Sequence, residues 1–211
     1  MTFDTEQAAA QFIIDSEARF PIPKWDSDRL PKRRWVLEHL EPGGIGAEIG
    51  VFRGQFSRLI CEVAQPKKLY LIDPWTLLGD TFGWGKEYTS FGRLTTLAAK
   101  QETQARTMAF ASVDKIMIEG QFPKCGDQIK EPLDWAYLDA SHKFQPTLDE
   151  LYALDERIKP NGFILGDDWD PKPDSAHHGV FQAVHHFVKE RPWDLIKSGP
   201  GRQWIMRRRP S

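Results

Sequence analysis

From Gly46 onward, short apolar runs bounded by Gly, Asp or Pro alternate with longer stretches in which apolar residues recur every three or four positions. The runs are strand-length and the stretches between most of them are helical, so the pattern predicts crossover units and a parallel sheet. The predicted strands are Gly46 to Val51, Lys68 to Asp73, Lys115 to Glu119, Trp135 to Asp139 and Gly162 to Asp167. Two more, Trp193 to Lys197 and Gln203 to Arg207, are separated only by Ser198-Gly199-Pro200-Gly201, which predicts an antiparallel hairpin. The expected architecture is α/β: a seven-stranded, mostly parallel sheet ending in that hairpin, with helices on both faces. Asp149, Leu151, Leu154 and Ile158 belong to a helix expected to stop at Lys159-Pro160-Asn161-Gly162. Val180, Val184, Phe187 and Val188 form the buried stripe of the helix before the hairpin.

Two regions exceed the minimal sheet. Residues 1–42 read as an N-terminal helical extension to a domain spanning 43–211, and the connection from Pro74 to Val113 is far longer than a crossover needs. Its excess, about 76–112, predicts a lid-like insertion. Trp75, Phe82, Trp84, Tyr88 and Phe91 lie there among Gly79, Gly83, Gly85 and Gly92, a composition that suits a closing pocket, a hydrophobic cover or a homodimer contact.

Composition narrows the partners. The 211 residues carry 28 Lys and Arg against 30 Asp and Glu, a net charge of -2 that lacks the basic footprint nucleic-acid binding requires. A small-molecule substrate is expected. Apolar runs stop short of a membrane span and the first ten residues are acidic and polar, so the expectation is a cytoplasmic protein without membrane contact. Cys61 and Cys125 belong to no metal-binding array.

The segment Gly46-Ala47-Glu48-Ile49-Gly50-Val51-Phe52-Arg53-Gly54-Gln55-Phe56-Ser57 reads as a strand, a glycine turn and a helix. Gly50 and Gly54 allow a sharp turn beneath a ligand, and the helix start offers free N–H groups; a purely structural turn would use the same glycines. Asp73 ends the next strand, where a carboxylate can accept hydrogen bonds from a ribose diol. The pair points to a nucleoside cofactor. A nicotinamide-dependent oxidoreductase is the competing enzyme class, but Phe52 breaks its G-x-G-x-x-G fingerprint and Glu48 would repel a pyrophosphate. A binding protein that kept the fold and lost the chemistry is the non-enzyme alternative.

Four segments together resemble the successive motifs of class I S-adenosylmethionine-dependent methyltransferases. They are Glu48-Ile-Gly-Val-Phe-Arg-Gly54, Leu71-Ile-Asp73-Pro-Trp75, Trp135-Ala-Tyr-Leu-Asp139-Ala-Ser-His142 and Gly162-Phe-Ile-Leu-Gly-Asp167-Asp168-Trp169. The closest subgroup is the macrocin-type (TylF-like) small-molecule O-methyltransferases, and the resemblance runs from about Gly43 to Arg207. It departs from the usual E-x-G-x-G-x-G in placing Val51-Phe52-Arg53 between Gly50 and Gly54. The resemblance implies a Rossmann-like methyltransferase fold with S-adenosylmethionine over the strand ends. Glu48 and Gly50 would then line its methionine end, with Phe52, Gly54 and Ser57 beside them. Asp73 would hold the ribose, with Trp75 next to it, and Gly120-Gln121 would lie near adenine, unless those two form a simple turn. Asp139 would touch the cofactor from the fourth strand.

Asp139 and Asp167-Asp168 end strands expected to be neighbours about 4.8 Å apart, so their carboxylates should converge. Such repulsion asks for a cation, and Mg²⁺ is the ion the resemblance implies for Asp139, Asp167 and Asp168; the alternative is that they cap loops and contact the cofactor. His142, three residues beyond Asp139, can reach the ground between metal and cofactor. An imidazole there suits removal of the proton from a hydroxylated acceptor. His177 and His178, in a loop with Pro171 and Pro173, are candidates for substrate contact or plain exposure.

Overall fold

The computed structural model describes residues 3–210. Its seven strands are β1 (Ile45–Ile49), β2 (Lys68–Asp73), β3 (Asp114–Glu119), β4 (Leu133–Leu138), β5 (Ile158–Gly166), β6 (Trp193–Gly199) and β7 (Gln203–Arg208). They form one sheet in the order β3-β2-β1-β4-β5-β7-β6. Strands β1 to β5 pair in parallel, and β7 runs antiparallel to both β5 and β6, which is the expected hairpin.

The helices are α1 (Glu6–Arg19), α2 (Lys24–Arg29), α3 (Arg34–Leu37), α4 (Gln55–Val63), α5 (Thr96–Thr107), α6 (Phe144–Asp155) and α7 (His178–Glu190). Period-two alternation divides the core between the faces of the sheet. Ala47, Ile49, Tyr70, Ile72, Ala136 and Leu138 pack with Leu148, Leu151, Leu154, Val180 and Val184 of α6 and α7. Leu69, Leu71, Trp135 and Tyr137 pack with Leu37 of α3, Phe56 and Ile60 of α4 and Ala99 of α5. Glu48 lies between the inward-facing Ala47 and Ile49, so it points at α4.

Several strand ends shift by one or two residues from the sequence reading, and one boundary differs by more. The expected turn at Lys159-Pro160-Asn161-Gly162 lies inside β5, because Ile158 already pairs with Leu133 before the chain bulges and resumes at Phe163 opposite Trp135. Asn161 takes the bulge at φ 64°, a conformation asparagine tolerates better than most side chains.

The long connection also divides differently. Thr96–Thr107 is the ordinary crossover helix between β2 and β3, capped by the Thr95 hydroxyl accepting from the Ala98 N–H. The irregular excess is residues 79–95. Phe52 of the glycine turn meets Phe82 at 5.0 Å and Trp84 at 5.1 Å between ring centroids, and Tyr88 meets Trp25 of α2 at 4.7 Å. The insertion therefore covers the glycine turn and is tied to the N-terminal extension by the Trp25 indole, which donates to Glu87 at 2.9 Å. Among the described residues no helix is long and apolar enough to cross a membrane.

Candidate active site

The chain leaves β1 toward β2 on one side, while β4 lies on the other, so the carboxyl ends of β1 and β4 flank the topological switch point. Gly50 has φ 86°, and a Cβ there would stand 1.9 Å from the carbonyl oxygen of Asp139. Only glycine lets these two strand ends close. Gly54 has φ 72° and would press a Cβ to 2.6 Å from the Thr103 Cα on α5.

The Val51-Phe52-Arg53 departure has a structural reason. Arg53 is buried, gives Glu102 of α5 two hydrogen bonds of 2.8 Å, and donates to the Phe20 carbonyl at the end of α1 at 2.9 Å. The middle of the turn is thus bolted to α5 and the extension.

Asp73 serves the same turn. Its carboxylate accepts the N–H groups of Val51 at 3.0 Å, Phe52 at 2.9 Å and Trp75 at 2.8 Å. Burial pushes its pKa up while these bonds pull it down. Trp75 is fully buried and donates from its indole to the Phe52 carbonyl. Asp73→Ala should therefore cost stability as well as cofactor affinity, because hydrogen bonds to a charged acceptor contribute about 1.5–3 kcal/mol each. Urea unfolding beside calorimetry with S-adenosylhomocysteine reads both; an equally stable variant with unchanged affinity would remove Asp73 from the site.

Glu48 is 1% exposed and accepts the hydroxyl of Ser57 from the first turn of α4. Burial raises its pKa to about 8, against the opposing pull of Ser57 and Arg33. Below that value the carboxyl holds a proton, which a cation binding beside it must displace. If the ammonium of S-adenosylhomocysteine binds beside Glu48, as the resemblance implies, its affinity should rise between pH 6 and about 8 and then level, with proton release at pH 7. Calorimetry in two buffers of different ionisation enthalpy checks this, and identical heats would exclude Glu48 from the contact.

After β3, Gly120 donates its N–H to the Asp73 carbonyl at 3.0 Å, and a Cβ on it would lie 2.6 Å from Cys125 Cβ. Gly120 therefore serves the turn, while Gln121 is exposed. Glu48 near the end of β1, Asp73 at the end of β2 and Asp139 just after β4 stand on three adjacent strands, a set of carboxylates that fits the ammonium, sulfonium and ribose diol of S-adenosylmethionine.

Asp139 and Asp167 do end neighbouring strands, since Leu138 pairs with Gly166. Their compensation comes from the N-terminal extension. Arg33 donates to Asp139 at 2.8 Å and lies 3.2 Å from Asp167, and Arg29 also donates to Asp167. Asp167 further accepts the Gln203 amide at 2.7 Å and the Asp168 N–H at 2.6 Å. Two guanidinium groups thus supply the charge expected of Mg²⁺, and the three-carboxylate ion site does not fit this arrangement.

Asp168 turns away at φ 61°, keeps Arg29 at 3.7 Å from Oδ1 and meets two further partners. Its Oδ2 lies 2.9 Å from His142 Nε2 and 3.1 Å from His177 Nδ1. Burial works against its charge, but the two imidazoles hold Asp168 well below the usual carboxylate range. Burial likewise opposes the charge on His142, yet Asp168, with Asp139 and Asp167 behind it, raises its pKa to about 9. His177 reaches the site because Gly179 carries no side chain: a Cβ there would lie 2.5 Å from the Phe144 nitrogen and 2.7 Å from the His142 carbonyl. α7 therefore starts hard against the His142 loop. His178 instead points its Nδ1 to the Asp170 carbonyl, outside the cluster.

A doubly wound sheet with buried carboxylates at its switch point defines a Rossmann-like α/β protein. The chain belongs to a methyltransferase family: the family model described as "Methyltransferase domain" matches residues 47–169, from β1 through Trp169. Three solved structures share the fold. The O-methyltransferase NovP is 17% identical with TM-score 0.58, over 86% of this chain and 79% of that one. The O-methyltransferase from Bacillus cereus, solved in complex with SAH, is 13% identical with TM-score 0.53, over 98% and 91%. An rRNA methylase from Streptococcus thermophilus is 13% identical with TM-score 0.56, over 83% and 93%. No curated protein matches the sequence significantly.

Proposed function

We propose that the protein methylates a hydroxyl of a small molecule with S-adenosylmethionine, in the manner of the macrocin-type O-methyltransferases. The observation that carries this reading is the juxtaposition of two differently charged halves at one set of strand ends. Glu48, Asp73 and Asp139 suit a cationic nucleoside, and His142, paired with Asp168, stands immediately beyond Asp139. The bound cofactor supplies an electrophilic methyl group on sulfur.

His142 supplies the proton acceptor. With Nε2 2.9 Å from Asp168 Oδ2, Nδ1 would carry the free lone pair and would take the hydroxyl proton as the methyl group passes from the cofactor's sulfur to the oxygen, leaving S-adenosylhomocysteine. Asp168 fixes the tautomer and stabilises the imidazolium that results, while His177 Nδ1 stands 3.1 Å from the same carboxylate oxygen. Arg33 pairs with Asp139 and Asp167, and Arg29 with Asp167, which fixes the position of these carboxylates behind the pair. The net charge of -2 and the aromatic cover of Phe82, Trp84 and Tyr88 favour a small acceptor over nucleic acid.

The test is transfer of labelled methyl from S-adenosylmethionine to a panel of hydroxylated metabolites, with ribosomal RNA and amines as comparison arms and a chelator in duplicate reactions. Label in a hydroxylated product, undiminished by chelator, is the expected result. Label confined to RNA or amine would overturn the acceptor class.

A further inference from the structure

The geometry points to a binding site for a divalent transition-metal ion formed by His142 Nε2, Asp168 Oδ2 and His177 Nδ1, whose occupancy withdraws His142 from proton transfer. The three ligand atoms lie within 4.8 Å of one another, with edges of 2.9 and 3.1 Å to the shared carboxylate oxygen. An ion with metal–ligand bonds of about 2.0–2.1 Å has ligand–ligand edges of about 2.9–3.4 Å in octahedral or tetrahedral geometry. The two edges to the Asp168 oxygen fall in that range, and the His142 Nε2 to His177 Nδ1 edge, within 4.8 Å, closes onto an ion by rotation of the two imidazoles.

The hydrogen bonding leaves room for this role. His177 Nδ1 is buried and, although close to Asp168, is misaligned for a hydrogen bond and has no partner. The two imidazole side chains are 40% and 30% exposed, enough to admit an ion and leave outer coordination positions to water. Two imidazoles and one carboxylate suit Zn²⁺, Ni²⁺ or Fe²⁺ and not Mg²⁺, which prefers oxygen. Asp139 and Asp167, held by arginines, take no part.

The consequence for catalysis follows from the tautomer. A neutral imidazole bound to metal through Nε2 carries its proton on Nδ1, the nitrogen that must accept the hydroxyl proton. The filled site therefore blocks the base. This regulatory consequence rests on the proposed O-methylation; the ion site itself does not.

Zn²⁺ titrated into chelator-stripped full-length protein, in competition with a chromophoric chelator, tests the site directly. One zinc per chain is expected, with affinity reduced at least about 100-fold in His177→Ala, the scale on which losing even an outer-shell partner can act. Absence of zinc binding by the wild type, or equal binding by a folded His177→Ala, would overturn the site. Stoichiometric zinc should lower wild-type turnover, and His177→Ala should resist that inhibition relative to its own zinc-free rate. Activation by zinc would overturn the blocking role. Zinc binding by a protein that methylates no acceptor would sink the O-methylation reading and leave the ion site standing.

Discussion

His142→Ala is expected to lower turnover by about 10²- to 10⁴-fold, the usual contribution of a positioned base, while the affinity for S-adenosylhomocysteine changes little. The separation follows from position: His142 pairs with Asp168 beyond β5, whereas the carboxylates suited to the cofactor lie at the carboxyl ends of β1, β2 and β4. A pH profile sharpens the expectation. Asp168 raises the pKa of His142 to about 9, so the imidazole is cationic at neutral pH and must lose a proton before it can act. In chelator-treated protein the rate should accordingly climb with pH toward about 9, above the value of about 6.5 for an unperturbed histidine. Asp168→Asn should bring that limb back down. A variant with near-normal turnover, or one losing cofactor binding in parallel, would make His142 a structural residue.

Arg33→Met should produce the largest loss of stability. Arg33 is 7% exposed, stacks over Phe56 at 4.2 Å, and bridges Tyr137, Asp139 and Asp167. Removing one partner of a buried ion pair costs about 3–5 kcal/mol, because the charge left behind is neither solvated nor paired. Asp167 would keep Arg29 and the Gln203 amide, which places the expected loss toward the lower end of that range. Adding Asp167→Asn should recover part of the loss, since an amide needs no counter-charge. Urea midpoints of the single and double variants measure this, and a stable Arg33→Met protein would mean that water or Arg29 already compensates the cluster.

Much of the sheet was legible because strand ends and glycine turns are local signals. The runs ending at Asp73 and Glu119 match β2 and β3 to within a residue, and the hairpin forms where it was expected, although Ser198 and Gly199 extend β6 and only Pro200 to Arg202 makes the turn. The bulge in β5 was not legible, since Pro160 and Gly162 mark a break in the chain whether it turns or bulges. The site divides in the same way. The places of Glu48, Gly50, Asp73, Asp139 and His142 were legible because each lies at or within a few residues of the carboxyl end of a strand.

The charge compensation could not be found locally: Arg29 and Arg33 lie 138 and 106 positions from the aspartates they meet, in an extension that reads as decoration. The convergence of the carboxylates was visible while the cation was not, and Mg²⁺ filled that gap. Arg53 was hidden by the same distance, its partner Glu102 standing on a helix read as part of the insertion. His177 did leave a signal: its place just before Gly179 marks a close approach at the start of α7.

The account stands on the cofactor, and calorimetry of the full-length protein with S-adenosylhomocysteine, with NADH as the comparison ligand, tests it most directly. The predicted result is saturable S-adenosylhomocysteine binding at one site per chain, weakened by Asp73→Ala and unaffected by chelator, with no heat from NADH. Saturable binding of NADH, or no binding of S-adenosylhomocysteine to folded protein on either side of pH 8, would contradict it.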